Sequence, residues 1–172
     1  KPQSDREREG TPRKPANRFG LGAAPEGWDN LLKAMREKGF TQDELLAAGL
    51  VTAGQRRKEN GTRSVYDKFR DRLMFPVIDI RGEVLGFSGR ALNDDQEPKY
   101  LNSPETLVFS KRRTLFGMNL AKNTKRGSIL LVEGNIDVVT LHQAGFDNAV
   151  ASMGTALTTE QTRLISRYAK EI

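Results

Sequence analysis

No cysteine occurs among the 172 residues, which excludes disulfides and any thiolate metal site and fits a reducing compartment. Histidine is nearly absent too. His142 stands alone, which is too little for an imidazole zinc site, so a metal on this chain would have oxygen ligands, pointing to magnesium or manganese. Hydrophobic residues make up 37% and aromatics 7%, so a core can form while long stretches must face solvent or a partner. There is no apolar run of membrane-spanning length and no secretory pattern at the start. The expectation is therefore a cytoplasmic protein with no membrane contact.

What the chain does have is positive charge, unevenly placed. The net charge is +6. Residues 55–72 carry seven basic and three acidic side chains, and residues 99–126 carry seven and one. Residues 127–172 reverse the balance, with three basic and five acidic. An acidic centre flanked by basic segments suits a protein acting on a polyphosphate or nucleic acid: a metal neutralises the centre and the flanks hold the backbone. Any single basic run is better read as a solvated face.

The most informative stretch is Leu130 to Val139. An apolar run reads as a buried strand and stops on Glu133, followed at once by Gly134, with Asp137 in the first turn of a helix. Ligands of open α/β sheets bind at the carboxyl ends of strands. Ionised acids there need a compensating cation, and a divalent metal is the usual partner. Gly134 permits a tight turn. The same local pattern also describes a helix cap with a solvated acid.

Around that motif, residues 1–18 carry three prolines, many charges and no apolar period, and read as a disordered or extended tail. Trp28, Leu31, Leu32 and Met35 have helical spacing over 27–38, which makes Trp28 core of a small helical subdomain. Thr41 and Glu44 form a capping box for a second short helix. Residues 51–66 read as a loop. Leu73–Ile80 and Val84–Ser88 read as a hairpin turning at Arg81-Gly82-Glu83, with Pro76 marking an edge strand or bulge. Residues 93–113 lack periodicity, and ordered loops of that length are usually functional. From Ser128 the rhythm becomes strand, helix, strand, helix: 129–132, 135–144, 149–151 and 158–169, a βαβ unit with a right-handed crossover. That gives two parallel strands, with Ser152, Gly154 and Thr155 beside Glu133 as a small-residue turn able to hold phosphate. Phe69, Phe75, Phe87 and Phe116 are expected to pack, and His142 to be exposed or a satisfied packing residue.

Five segments, KFRDRLMFPVIDIRGEVLGFSGRAL (68–92), PKYLNSPET (98–106), FSKRRTLFG (109–117), LLVEGNIDVV (130–139) and AVASMGTALT (149–158), lie in one order and spacing. Together they resemble bacterial replicative primases of the DnaG type, over about residues 19–172. The resemblance implies an α+β chain: a basic subdomain of mixed strands and helices over 19–127, then a partial α/β Toprim-like parallel sheet over 128–172. It implies nucleotidyl transfer, the synthesis of short RNA primers on a single-stranded DNA template during replication. Ribonucleoside triphosphates are then the substrates, and the cytoplasm, at replication forks, is the location.

Position by position, Glu133 matches the Toprim glutamate, which serves the metals or proton transfer, and Asp137 matches the aspartate of the same motif. Arg70, Arg72, Arg90, Lys99, Tyr100, Asn102 and Lys111 match residues lining the template and nucleotide cleft. Ser152, Gly154 and Thr155 match the loop after the second Toprim strand. Asn135 departs from the usual aromatic residue and is not expected to be a ligand. The family's Asp-x-Asp metal ligands are expected beyond residue 172, and its zinc and helicase-binding domains are separate from this sequence. The resemblance thus implies magnesium or manganese at Glu133, zinc only in another domain, a helicase partner through another domain, and a fragment inactive by itself. Two other classes stay open: a non-catalytic single-strand-binding module, and another Toprim enzyme such as a nuclease or topoisomerase.

Overall fold

The computed structural model describes residues 15–57, 61, 63–154 and 156–172. Most of the expected tail, residues 1–14, lies outside that range, but its last residues do not form a tail. They belong to helix α1 (Pro15–Phe19). Phe19 plugs this helix into the core, stacked on Phe116 at 5.6 Å and edge-on to His142 at 5.1 Å. Strand β1 (Gly22–Ala24) follows, then helices α2 (Asn30–Glu37) and α3 (Gln42–Ala47). Thr41 forms the expected capping box, accepting from Glu44 N while the Glu44 carboxylate accepts from Thr41 N.

The segment read as a loop is a hairpin instead, strands β2 (Val51–Arg57) and β3 (Arg63–Asp67), paired antiparallel from Val51–Asp67 outward. Its polar composition hid it, because only Val51 and Val65 join the small core formed with Leu32 and Leu45. Gly54 lets the strands close, since a Cβ there would lie 2.3 Å from the Ser64 hydroxyl.

Strands β4 (Arg72–Ile78) and β5 (Val84–Ala91) make the expected hairpin. Its turn is fastened by Asp79 Oδ1, which accepts from Arg81 N at 2.8 Å and Glu83 N at 3.0 Å. With β6 (Tyr100–Asn102) they build a four-stranded antiparallel sheet in the order β1-β4-β5-β6. Pro76 sits in an inner strand yet disturbs nothing. β1 pairs only with residues 72–74, and the ladder to β5 shifts register between Val77 and Ile78, so the missing N–H falls where no neighbour needs it.

Strand β7 (Leu115–Phe116) and helix α4 (Met118–Ala121) lead into β8 (Leu130–Val132), α5 (Asn135–Gln143), β9 (Ala149–Ser152) and α6 (Thr159–Ile165). β8 and β9 are parallel, and β7 adds antiparallel to the far side of β9. Ala149, Val150 and Ala151 of this middle strand are wholly buried. The expected burial of β8 is corrected by the structure, because Leu130 and Leu131 are each 37% exposed. β8 is the sheet edge among the described residues, and its outer side carries only the parallel bridge from Ser128 to Glu171. Helix α6 opens on a second capping box, Thr158 with Gln161, and the buried Gln161 amide donates to the carbonyls of Lys111 and Thr114 at 2.9 Å each.

The main core crosses the chain. Phe19, Phe75, Val77, Phe109 and Phe116 pack with Val138, Ala149, Ala151 and Met153. A second cluster, including Leu115, Ile129, Val150 and Ile165, lies beneath α4 and α6. Of the four phenylalanines expected to pack, Phe69, Phe75 and Phe116 are buried, and Phe87 is edge-on to Phe69.

Candidate active site

The carboxyl end of β8 delivers Glu133, and the turn into α5 delivers Asp137. Gly134 between them has φ of −121°, extended backbone open to any residue, so its role differs from the tight turn expected. A Cβ at 134 would stand 2.9 Å from Asp137 Oδ2. Glycine makes room for the carboxylate to fold back over the start of α5, where amide groups and helix dipole favour negative charge.

These acids form one wall of a cleft of about 370 Å³, with Asn135 beside them and Ser152, Met153 and Gly154 from the end of β9. The opposite wall is the outer part of the antiparallel sheet, Ser88, Tyr100 and Asn102. Register explains the meeting: Ser88 pairs with Asn102 and Arg90 with Tyr100, which puts all four side chains on one sheet face. Asn102 ties the walls together by donating from Nδ2 to the Met153 carbonyl at 3.3 Å. Gly154 has φ of +78°, the left-handed region that glycine adopts freely.

Of the sequence-expected residues, the cleft gathers Glu133, Asp137, Tyr100, Asn102, Ser152 and Gly154. Thr155 lies outside the described residues. Arg90 is half-buried beside Tyr100, its Nε enclosed without a partner. Lys99 is exposed next to it. Arg72 is corrected: at 3% exposure it faces inward, donating from Nη1 to the carbonyls of Pro98 at 2.8 Å and Gly89 at 3.3 Å. It braces the 98–102 segment from behind and has no surface to offer a ligand. Gly89 accommodates it, since a Cβ there would meet Arg72 Cδ at 2.9 Å. Lys111 is half-buried and sits near Lys68, whose ammonium is held below the usual lysine range by burial and by the charge of Lys111. Two crowded ammonium groups are an anion-receptive pair.

Trp28 is also corrected. It is 65% exposed, with the Arg70 guanidinium 4.2 Å above its ring and Tyr66 edge-on at 5.4 Å. Arg70 also lies over Tyr66 at 5.1 Å and donates to the Asp67 carbonyl. Buried Asp67 fixes this corner, accepting from Leu31 N and Leu32 N at 2.6 and 2.9 Å and donating its own N–H to the Trp28 carbonyl. A guanidinium stacked on indole is a cation–π pair, and its exposed face is a platform for a planar ligand. Helical spacing assigned Trp28 to the core. The arginine two residues past Lys68 was the only sequence signal to the contrary, and the hairpin that joins them was not legible.

Lys68, Ser88, Trp28 and Asn135 are thus site features that sequence reasoning missed. His142 is a packing residue, 6% exposed, with Nε2 3.0 Å from the Ala149 carbonyl, but it is only half satisfied, since Nδ1 is enclosed without a partner. Among the described residues no group of three or more His, Cys, Asp or Glu side chains could hold a metal. The cleft offers two carboxylates, hard oxygen donors of the type magnesium and manganese take, as part of a coordination shell. No helix among the described residues is long and apolar enough to cross a membrane.

Comparison with known proteins agrees with this architecture. Residues 6–122 match the family described as DNA primase catalytic core, N-terminal domain, and residues 127–172 match the Toprim domain. The chain is 49% identical over 164 residues to a DNA primase of Clostridium acetobutylicum, covering 95% of this chain and 26% of that protein. It superposes on the Escherichia coli primase catalytic core with a TM-score of 0.82 and 41% identity, covering 96% of this chain and 51% of that one. A DnaG primase catalytic domain solved bound to single-stranded DNA matches with a TM-score of 0.80 and 43% identity, over 96% of this chain and 50% of that one. The chain thus spans about half the length of those catalytic cores and about a quarter of the length of the curated relative.

Proposed function

Since the chain belongs to the bacterial DNA primase family, we propose that it is the template-facing part of an enzyme that makes short RNA primers on single-stranded DNA. The observation that carries this reading is the pairing of walls across one cleft, with carboxylates Glu133 and Asp137 on one side and Tyr100 and Asn102 on the other. Substrate is a ribonucleoside triphosphate whose α-phosphate is attacked by a ribose 3′-hydroxyl. Glu133 accepts the proton of that hydroxyl or of a bound water, and Asp137 orients the same region. Glu133 and Asp137 would hold part of the shell of a magnesium or manganese ion, which when bound stabilises charge on the reacting phosphate.

The remaining residues position the polymer. Arg90 and Lys99 flank Tyr100 and offer cations to backbone phosphates beside an aromatic face. Arg70 on Trp28 supplies a second stacking platform, and Lys68 with Lys111 a second anion contact. Ser152 and Gly154 line the cleft with small residues that leave room for phosphate, and Thr155 is assigned to the same contact from the sequence motif alone. Arg72 has no direct part in this scheme. Zinc and a replicative helicase enter through other domains of the protein, and the setting is the cytoplasm, at replication forks.

Fluorescence anisotropy with labelled single-stranded and duplex DNA across a salt series tests this reading. Single-strand preference is expected, with affinity falling steeply as salt rises and a slope of about 0.7 per phosphate contact. Equal affinity for the two DNAs, or none at low salt, would remove the template groove from the account.

A further inference from the structure

The residue that departs from the family pattern is also the one whose chemistry is unspent. Asn135 opens α5 between the two carboxylates in sequence, lines the same cleft, and is only 6% exposed. Among the described residues its carboxamide forms no hydrogen bond with any protein group, although a buried amide without a partner is costly. Among the described residues, four side-chain atoms elsewhere, on Arg90, Gln96, His142 and Asn148, are sealed without a partner. The Asn135 amide is not among the sealed atoms, so its free donor and acceptor keep an opening, and the cleft is the cavity this residue lines.

The surroundings select what that amide meets. Glu133 and Asp137 are acceptor-only when ionised, so beside a bound cation they welcome a hydrogen-bond donor. Ser88 and Asn102 across the cleft, and Ser152 beside it, are neutral groups that donate and accept. A wall of acceptors and neutral amides matches a hydroxyl, which also does both. We infer that the Asn135 carboxamide binds a ribose hydroxyl of the nucleotide, making this asparagine a sugar-reading residue that an aromatic side chain at the same position could not reproduce. A 2′-hydroxyl separates ribonucleotides from deoxyribonucleotides at a given site. A site built to hydrogen-bond a hydroxyl disfavours an analogue lacking it, because its own polar groups are left unpaired. The inference rests on the proposed nucleotide chemistry of the cleft.

The test is equilibrium binding of ATP, 2′-deoxy-ATP and 3′-deoxy-ATP, with magnesium present, to the full-length protein and its Asn135→Ala variant. Unaltered protein should prefer ATP over at least one deoxy analogue by roughly 3- to 10-fold, the scale of one net hydrogen bond. The analogue that is disfavoured identifies the 2′- or the 3′-hydroxyl as the group bound. Asn135→Ala should abolish that preference by weakening ATP alone. Asn135→Asp, of nearly equal volume and still an acceptor, should weaken all three nucleotides through its charge and retain a preference. If Asn135→Ala weakens all three nucleotides equally, the residue serves a hydrated cation or the shape of the cleft, and the inference falls. Equal affinity of the unaltered protein for all three overturns the inference alone. Failure to bind any of them overturns it together with the proposed function.

Discussion

Asn102 reaches across from β6 to hold the carbonyl of Met153 in the loop after β9, at 3.3 Å. This contact joins the antiparallel sheet to the parallel one at the mouth of the cleft, and its strength bears on the spacing of the two walls. Asn102→Ala should cost about 0.5–1.5 kcal/mol of stability, the net worth of one neutral hydrogen bond. It should also weaken nucleotide binding, because Gly154 and Ser152 lose their anchor. Thermal unfolding and nucleotide titration of the same variant check both effects, and unchanged binding would reduce the contact to a structural detail.

Gly134→Ala separates stability from function. Backbone at φ −121° accepts alanine, and replacing glycine restricts the unfolded chain, so stability should hold or rise by about 0.4–1 kcal/mol. The new Cβ, however, would stand 2.9 Å from Asp137 Oδ2 and push that carboxylate away. A misplacement near 1 Å at a reacting centre costs on the order of 10²-fold in rate. Primer synthesis by the full-length variant, beside its unfolding curve, should therefore fall while stability does not.

The legible parts of the fold were those written in local chemistry. Thr41 with Glu44 announces its helix through side chains that bond neighbouring amides, and the start of the last helix was readable at Thr158 or Thr159, though not its box with Gln161. The β4–β5 hairpin shows as two strands around a glycine turn. What was hidden depends on distant partners. β2 and β3 carry few apolar side chains, and they are held by two valines against Leu32 and Leu45. β7 has two residues and exists through its pairing with β9. At the site, Glu133 and Asp137 were readable from one short motif, whereas Tyr100 and Asn102 lay in a stretch read as a loop and share a sheet face through the pairing of β6 with β5. The inward turn of Arg72 was not readable either, because carbonyls 17 and 26 residues away decide it.

His142 gives the fold a pH dependence with a definite sign. Burial holds its imidazole below the usual histidine value; the Ala149 carbonyl opposes that shift, Arg18 adds to it and Asp147 opposes it. Nδ1 is sealed without a partner, so protonation would bury an unsatisfied N–H. A depressed folded value means the unfolded chain binds the proton more tightly. Stability is full above about pH 6.5, the ordinary histidine value, and declines as pH falls from there towards the folded value. Urea midpoints between pH 7.5 and 5 should show this decline, and His142→Leu should flatten it across that window.

In the proposed function Trp28 and Arg70 meet DNA through different physics, and their variants should differ accordingly. Trp28→Ala removes a stacking face worth roughly 1–3 kcal/mol per base and should leave the salt slope unchanged. Arg70→Gln removes a cation and should lower the slope by about 0.7 for one lost phosphate contact. Anisotropy titrations at several salt concentrations distinguish the two, and identical slopes for both variants would contradict the assignment.

Glu133→Gln in the full-length protein tests the central claim most directly, with primer yield and single-stranded DNA affinity measured side by side. The substitution keeps the shape of an exposed side chain at the end of β8 and removes its charge. The account predicts that primer synthesis is abolished while DNA affinity stays within twofold or so, of the order of the ±0.5 kcal/mol typical of surface changes. A normal primer yield from this variant would contradict it.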